Sequence, residues 1–339
     1  MSIYTTNLSN LSYTNKDFNT IYPELLELAD KISYKWQPSA SNESDPGVVL
    51  LKLNALMADK LNYNIDKNIL ELFPVSVTQD PNAREIFEQC GYTMKYYRSA
   101  STKVTLTMYK KPDNLDGSVS DGIGFKLPRF FMLSDVDNET VYTVPNLSEE
   151  VTLSPVEADG TTRSVDVDAL QGTVLDFTIN GAKLITYSDL DYNNRLYFNE
   201  LNVAENGIFI QNVKSGEGQH NYSDWKKVNN LMVQELGTSC YKFGVSRDAK
   251  SCYIEFPTDI ANLIGEGLYI KYIATNGYQG NIASNTLSQF FGNVEAKVLY
   301  AAGESNEVVQ ISTATIDIRN SEASFDGADP ETIDEAYKN

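Results

Sequence analysis

Residues 45–72 read DPGVVLLKLNALMADKLNYNIDKNILEL, and their spacing settles the first part of the fold. Asp45 is a good N-cap and Pro46 suits the first helical position, where its missing N–H costs nothing. Leu50, Leu53, Met57, Leu61, Ile65, Ile69 and Leu72 then step by three or four residues. They form one apolar ridge about six turns long. Lys52, Asp59, Lys60, Asn62, Asp66 and Lys67 take the opposite face, and Pro74 is expected to close the helix. So long a ridge exceeds what two short neighbouring helices would cover. It is expected to meet partner chains; the alternative is that it only packs on its own neighbours.

The flanks have the same character. Thr14-Asn15-Lys16-Asp17 has the form of a capping box. Leu25, Leu28 and Ile32 repeat at helical spacing, with Pro23 expected in the first turn and Pro38 ending the element. Asp80-Pro81 opens a third helix by the device used at Asp45-Pro46. Its inner face is Ala83, Ile86, Phe87 and Cys90, and Gly91 suits the position just past its end. Residues 1–98 are therefore expected to form an N-terminal helical bundle region.

From Ser99 the period changes to two. Val104, Leu106 and Met108 alternate with Thr105, Thr107 and Tyr109, as in a half-buried strand. Similar runs occur at 141–144, 173–179, 195–198, 207–210, 251–256, 268–273 and 294–299. Turns are expected at Asp116-Gly117, Asp121-Gly122, Asp159-Gly160, Asn180-Gly181, Asn206-Gly207 and Asn276-Gly277, pairs that supply positive φ. The fold class is α+β: an N-terminal helical bundle region followed by antiparallel β domains. The boundaries expected are 99–180 for a first β region, 181–302 for a second and 303–339 for an acidic C-terminal segment. Asn285–Phe291 reads as a short helix. Asp329 and Pro330 read as N-cap and first residue of a last helix, which either docks on something or continues in a longer natural polypeptide.

Charge and composition narrow the function. The chain has 27 Lys and Arg against 46 Asp and Glu, a net charge of −19. Residues 1–100 carry only −3 of it and the remainder −16. That balance argues against nucleic acid and against anionic lipid surfaces. No apolar run is long enough to span a membrane, and the N-terminus lacks the pattern of a secretory signal. Cys90, Cys240 and Cys252 read as three reduced thiols. The single histidine, His220, lies in a loop and reads as solvated, so neither a zinc site nor a Ser-His-Asp triad is expected. Asp189, Asp191, Asn193 and Glu200 fall at positions 1, 3, 5 and 12 of a calcium loop. However, Asn194 stands where glycine belongs and the flanks read as strands, so a turn leading into a strand is favoured. No phosphate-cradling glycine loop or nucleophile elbow occurs. The expectation is a protein with no enzymatic activity, no cofactor, no metal and no small-molecule substrate.

Several stretches together resemble one family. They are Tyr13–Phe18, Ser44–Leu53, Asp59–Asp66, Glu71-Leu72-Phe73, and Asn82-Ala83-Arg84 through Gly91-Tyr92. Further on come Trp225–Val228, Ile270-Lys271-Tyr272, Asn276–Ile282 and Asn320–Ala336. In this order they are similar to the baseplate J-like family, the baseplate wedge proteins of contractile bacteriophage tails. The stretch 110–169 matches poorly and is expected to be an insertion. The resemblance implies a structural building block of the virion, in the tail baseplate, assembled in the host cytoplasm. The partners it implies are other wedge proteins, a second copy of the chain, and the tail hub or sheath-proximal proteins. Its N-terminal helices would join a shared bundle through the ridge, and the assembly would widen on contraction. The alternative is a receptor- or carbohydrate-binding tail module, suggested by the 21 tyrosines of a largely β chain.

Overall fold

A computed structural model describes residues 14, 16–32, 44–108, 123–145, 151–153, 163–213, 225–246, 251–300, 303–311 and 316–338. His220 and the pairs Asp116-Gly117, Asp121-Gly122 and Asp159-Gly160 lie outside the described residues. The chain divides into a helical unit, Met1–Met94 with Thr332–Asn339, and a β unit, Lys95–Glu331. N-terminal helices followed by antiparallel sheets make the fold α+β.

The helices are α1 (Phe18–Ile32), α2 (Pro46–Leu70), α3 (Asp80–Gln89), α4 (Ile260–Leu263) and α5 (Ile333–Lys338). Several of their ends differ from the sequence reading. Asp17, not Thr14, caps α1: its carboxylate accepts from Thr20 N and Oγ1 at 2.9 and 2.6 Å. Thr14 instead binds Asp66 of α2 through its N and Oγ1, both at 3.1 Å. Pro23 lies inside α1 rather than in its first turn, so the helix forgoes one backbone bond there. Asp45 caps α2 as expected, accepting from Gly47 N at 2.8 Å. α2 ends at Leu70, before Leu72 and Pro74.

Glu71 is the C-cap residue of α2. Its buried carboxylate accepts from Thr78 N at 3.1 Å, Gln79 N at 3.1 Å and Asn82 Nδ2 at 3.3 Å, and from the Thr78 hydroxyl. Glu71 thus anchors the approach to α3. Asp80 is already helical, and the N-cap Gln79 makes no side-chain cap. Gly91 does close α3: at φ 88° it donates to Glu88 O, while Tyr92 N donates to Phe87 O, the two bonds of a Schellman motif. Val77, Ala83, Phe87, Met94 and Ala336 form a small core, with Ile86, Tyr92 and Ile333 packed on it. The last helix therefore docks, which is why six residues suffice. Its cap is Thr332 with Glu335, not Asp329: Thr332 N and Oγ1 both donate to the Glu335 carboxylate at 2.9 Å.

The β unit holds two sandwiches. One sheet of the first runs β15 (Gln289–Phe290), β3 (Phe131–Ser134), β4 (Val141–Val144), β6 (Arg163–Gln171), β1 (Ser101–Met108), β18 (Ile316–Asn320). The other runs β17 (Gly303–Ile311), β16 (Val294–Tyr300), β2 (Ile123–Leu127), β5 (Val151–Leu153). A single core joins them, with Leu106, Phe125, Leu133, Tyr142 and Leu153 fully enclosed. Strands β2 to β5 supply much of it, although they lie in the stretch expected to be an insertion.

In the second sandwich, β10 (Val203–Val213), β14 (Gly267–Ala274) and β7 (Thr173–Asp176) form one sheet, with β8 (Leu184–Ile185) on β14. The other is β11 (Lys226–Lys227), β12 (Cys240–Val245), β13 (Cys252–Glu255), β9 (Arg195–Tyr197). Ile185, Ile210, Ile254, Phe256, Ile260 and Leu268 are among its core residues. Among the described strands every ladder is antiparallel except the two-residue pairing of β11 with β12, and the isolated bridge Val213–Gly265 is parallel.

Strand pairing runs across the expected boundaries at 180 and 302. β15 and β16, from the expected second region, and β17 and β18, from the expected tail, complete the first sandwich, while β7 belongs to the second. Two local readings also change. Asn206-Gly207 is not a hairpin turn but sits inside β10, where the pairing with β14 is irregular between Val203 and Ile208. Asn285–Phe291 is not a helix, because Asn320 Oδ1 takes the N–H groups of Thr286 and Leu287 at 2.8 and 3.0 Å.

Candidate partner interface

α2 is 25 residues long, yet its own chain buries only Val48 and Ala55. At helical spacing those two share a face with Lys52, Asn62 and Asp66, the α2 residues that meet α1 and the residues just before it. That seam is narrow and partly polar. Besides the Thr14–Asp66 bonds, Asn62 Nδ2 donates to Lys16 O at 2.9 Å, and Lys52 Nζ lies 5.8 Å above the Tyr22 ring.

The seven ridge residues lie away from this seam. Leu50, Leu53, Met57, Leu61, Ile65 and Leu72 are between 47% and 69% exposed, and Ile69 is half-buried. Six of them sit on α2, and Leu72 lies in the turn beyond it. A second exposed row runs beside them: Val49, Leu56 and Tyr63, at intervals of seven. At about 100° per residue the two rows span about two thirds of the helix circumference. Leu28 and Ile32 on α1, and Phe73 and Val75 after α2, are exposed as well. The second row was missed in the sequence reading, although its 49-56-63 spacing was there to find.

The other candidates resolve differently. The four calcium-loop positions do not converge. Asp189 accepts from Thr186 N and Oγ1 at 2.8 and 2.7 Å, and these bonds hold its carboxyl below the usual range. Asp191 accepts from Asn193 N and Arg195 N, both at 2.8 Å, and the Glu200 carboxylate receives the Tyr272 hydroxyl. Asn194 takes φ 58° in the turn that leads into β9. Among the described residues no group of three or more His, Cys, Asp or Glu is placed to hold a metal. Cys240 and Cys252 are free and buried, and Cys90 is free and exposed. Burial pushes the Cys252 thiol up to about 12. No helix among the described residues is long and apolar enough to cross a membrane.

What fold and surface define is a helical unit whose apolar ridge the described residues leave exposed, and a two-sandwich β unit. No family model matches the chain, and no curated protein matches it.

Proposed function

We propose that this chain is a structural component of a phage tail baseplate wedge, without enzymatic activity, located in the virion. It assembles through its N-terminal helices around the tail hub and takes part in the rearrangement on contraction. The observation that carries this reading is the exposure of the α2 ridge, an apolar surface that the described residues leave in water. Monomeric proteins rarely expose apolar patches of this kind, and larger ones mark interaction sites. Helices contributed by other wedge proteins, or by a second copy, fit a surface with two apolar rows. Each leucine fully buried contributes about 1.5–3 kcal/mol, so closing the ridge supplies on the order of 10 kcal/mol before association costs.

Replacing Leu53 and Leu61 together by Asp tests this. Neither side chain is buried, so the variant should keep its circular dichroism spectrum and melting temperature. It should fail to enter assembled tail particles, measured by electron microscopy and mass spectrometry of those particles. Normal incorporation would sink the reading. A receptor- or carbohydrate-binding tail module is the second reading, favoured by Tyr187, Tyr192 and Tyr197, which stand exposed on the β unit. Specific binding on a glycan array, without any wedge partner, would decide for it.

A further inference from the structure

Two stretches far apart in sequence, 276–282 and 320–331, are laced together in the β unit. β1 pairs with β18 from Met108↔Ile316 to Val104↔Asn320. The two chain segments keep running side by side beyond that ladder. Ser101 and Phe325 exchange both backbone bonds, at 2.8 and 3.0 Å, and so do Arg98 and Ala328, at 2.9 and 3.1 Å. Glu331 N donates to Lys95 O at 3.2 Å, and Lys95 N donates to the Glu331 carboxylate at 3.0 Å. Between the two ladders the second segment has extra residues, and the turn at 276–282 fills the break. Ser324 N donates to Ile282 O at 2.9 Å, and Ile282 N donates to Ser324 Oγ at 2.7 Å. Asn281 Oδ1 accepts from Gly327 N at 3.2 Å, and its Nδ2 donates to Gly327 O at 2.9 Å. Asp329 Oδ1 accepts from Tyr278 N at 3.1 Å. The fit is close: a Cβ on Gly277, which is at φ 58°, would stand 2.1 Å from Asp329 Oδ1.

Lys95 and Glu331 are the first and last residues of the β unit. The paired segments are therefore the two leads by which the chain passes to the helical unit. Met94 follows one lead directly, and Ile333 is two residues beyond the other. Both belong to the α3 core. A six-residue helix has little stability alone, so its docking depends on being delivered to that core at high effective concentration.

We propose that the paired leads 95–101 and 325–331 are a strap that keeps α5 seated on the α3 core, with the turn at 276–282 as its buckle. Opening the buckle in the β unit frees the second lead, lowers the effective concentration of α5 and uncovers Val77, Phe87 and Met94. The strap is a property of the chain alone and needs no wedge partner, so its failure leaves the wedge reading intact.

Hydrogen exchange on the full chain tests the strap. In a variant combining Asn281→Ala with Asp329→Ala, the amides of Arg98, Ser101, Phe325 and Ala328 should exchange at least tenfold faster. The Ala336 amide, which bonds Thr332 O within α5, should follow by a similar factor. The amides of Gly244 and Tyr253, partner residues of β12 and β13, should not change, showing that the β unit remains folded. If the double variant does not fold, Gly277→Ala displaces Asp329 from the other side and should give the same pattern. Strap amides that accelerate while Ala336 does not, or strap amides that never accelerate, overturn the proposal.

Discussion

Phe130 is one of the residues at which the first sandwich meets the second. It lies in the turn between β2 and β3 at φ 60°, a conformation that costs a residue with a Cβ roughly 1–2 kcal/mol. The strain is offset by packing. Its ring lies 5.3 Å from that of Phe209 on β10, in a cluster with Ala204 and Ile273. Phe130→Ala removes the plug and retains the strain, so it should destabilise by about 3–5 kcal/mol in urea unfolding. Phe130→Gly removes both. It should be the more stable of the two variants by about 1 kcal/mol, the reverse of the usual order. Nothing in Pro128-Arg129-Phe130-Phe131 announced this backbone, because the favourable term is a contact made with residues far along the chain. Asn320 was similarly opaque. Its side chain, fully buried, binds Thr286 N, Leu287 N, Ala283 O and Glu322 O, and only the folded chain brings those groups together.

Helix α3 shows what could and could not be read at the level of an element. Its C-terminal end was legible, since a glycine after a helical run has one common use. Its start at Asp80-Pro81 was legible to within one residue; what anchors that start was not, because the carboxylate belongs to Glu71, seven and eight residues before the N–H groups it receives. Burial pushes the Glu71 carboxyl up, and the hydrogen bonds from Thr78, Gln79 and Asn82 outweigh it, leaving its pKa below the ordinary 4.5. A depressed carboxyl contributes stability that is complete above the unfolded value and lost as pH falls through the folded one. Glu71→Gln should therefore destabilise the helical unit at pH 7 and flatten the loss of its stability below about pH 4.5. Thermal melts followed at 222 nm across that range check this, and parallel pH profiles for the two proteins would contradict it. α2 was legible as an amphipathic helix, but periodicity reports which residues share a face. It does not report what covers them.

Across the whole chain, helices first and strands second could be seen from the change of period, because both periods are local. The grouping of strands could not. β15 pairs with β3 and β18 with β1, across most of the β unit, and no local pattern in residues 289–320 distinguishes a partner in one sandwich from a partner in the other. The acidic tail was a compositional description of strands that complete a core. The adjacency of Lys95 and Glu331 carries one more consequence. A region whose two ends lie side by side is topologically a guest: it interrupts its host sequence at a single point, and grafting or circular rejoining should be tolerated as long as the two leads stay paired. Produced by itself, Lys95–Glu331 should melt as a cooperative folded cassette, and a heat-capacity trace without any such transition would show that host and guest are one folding unit.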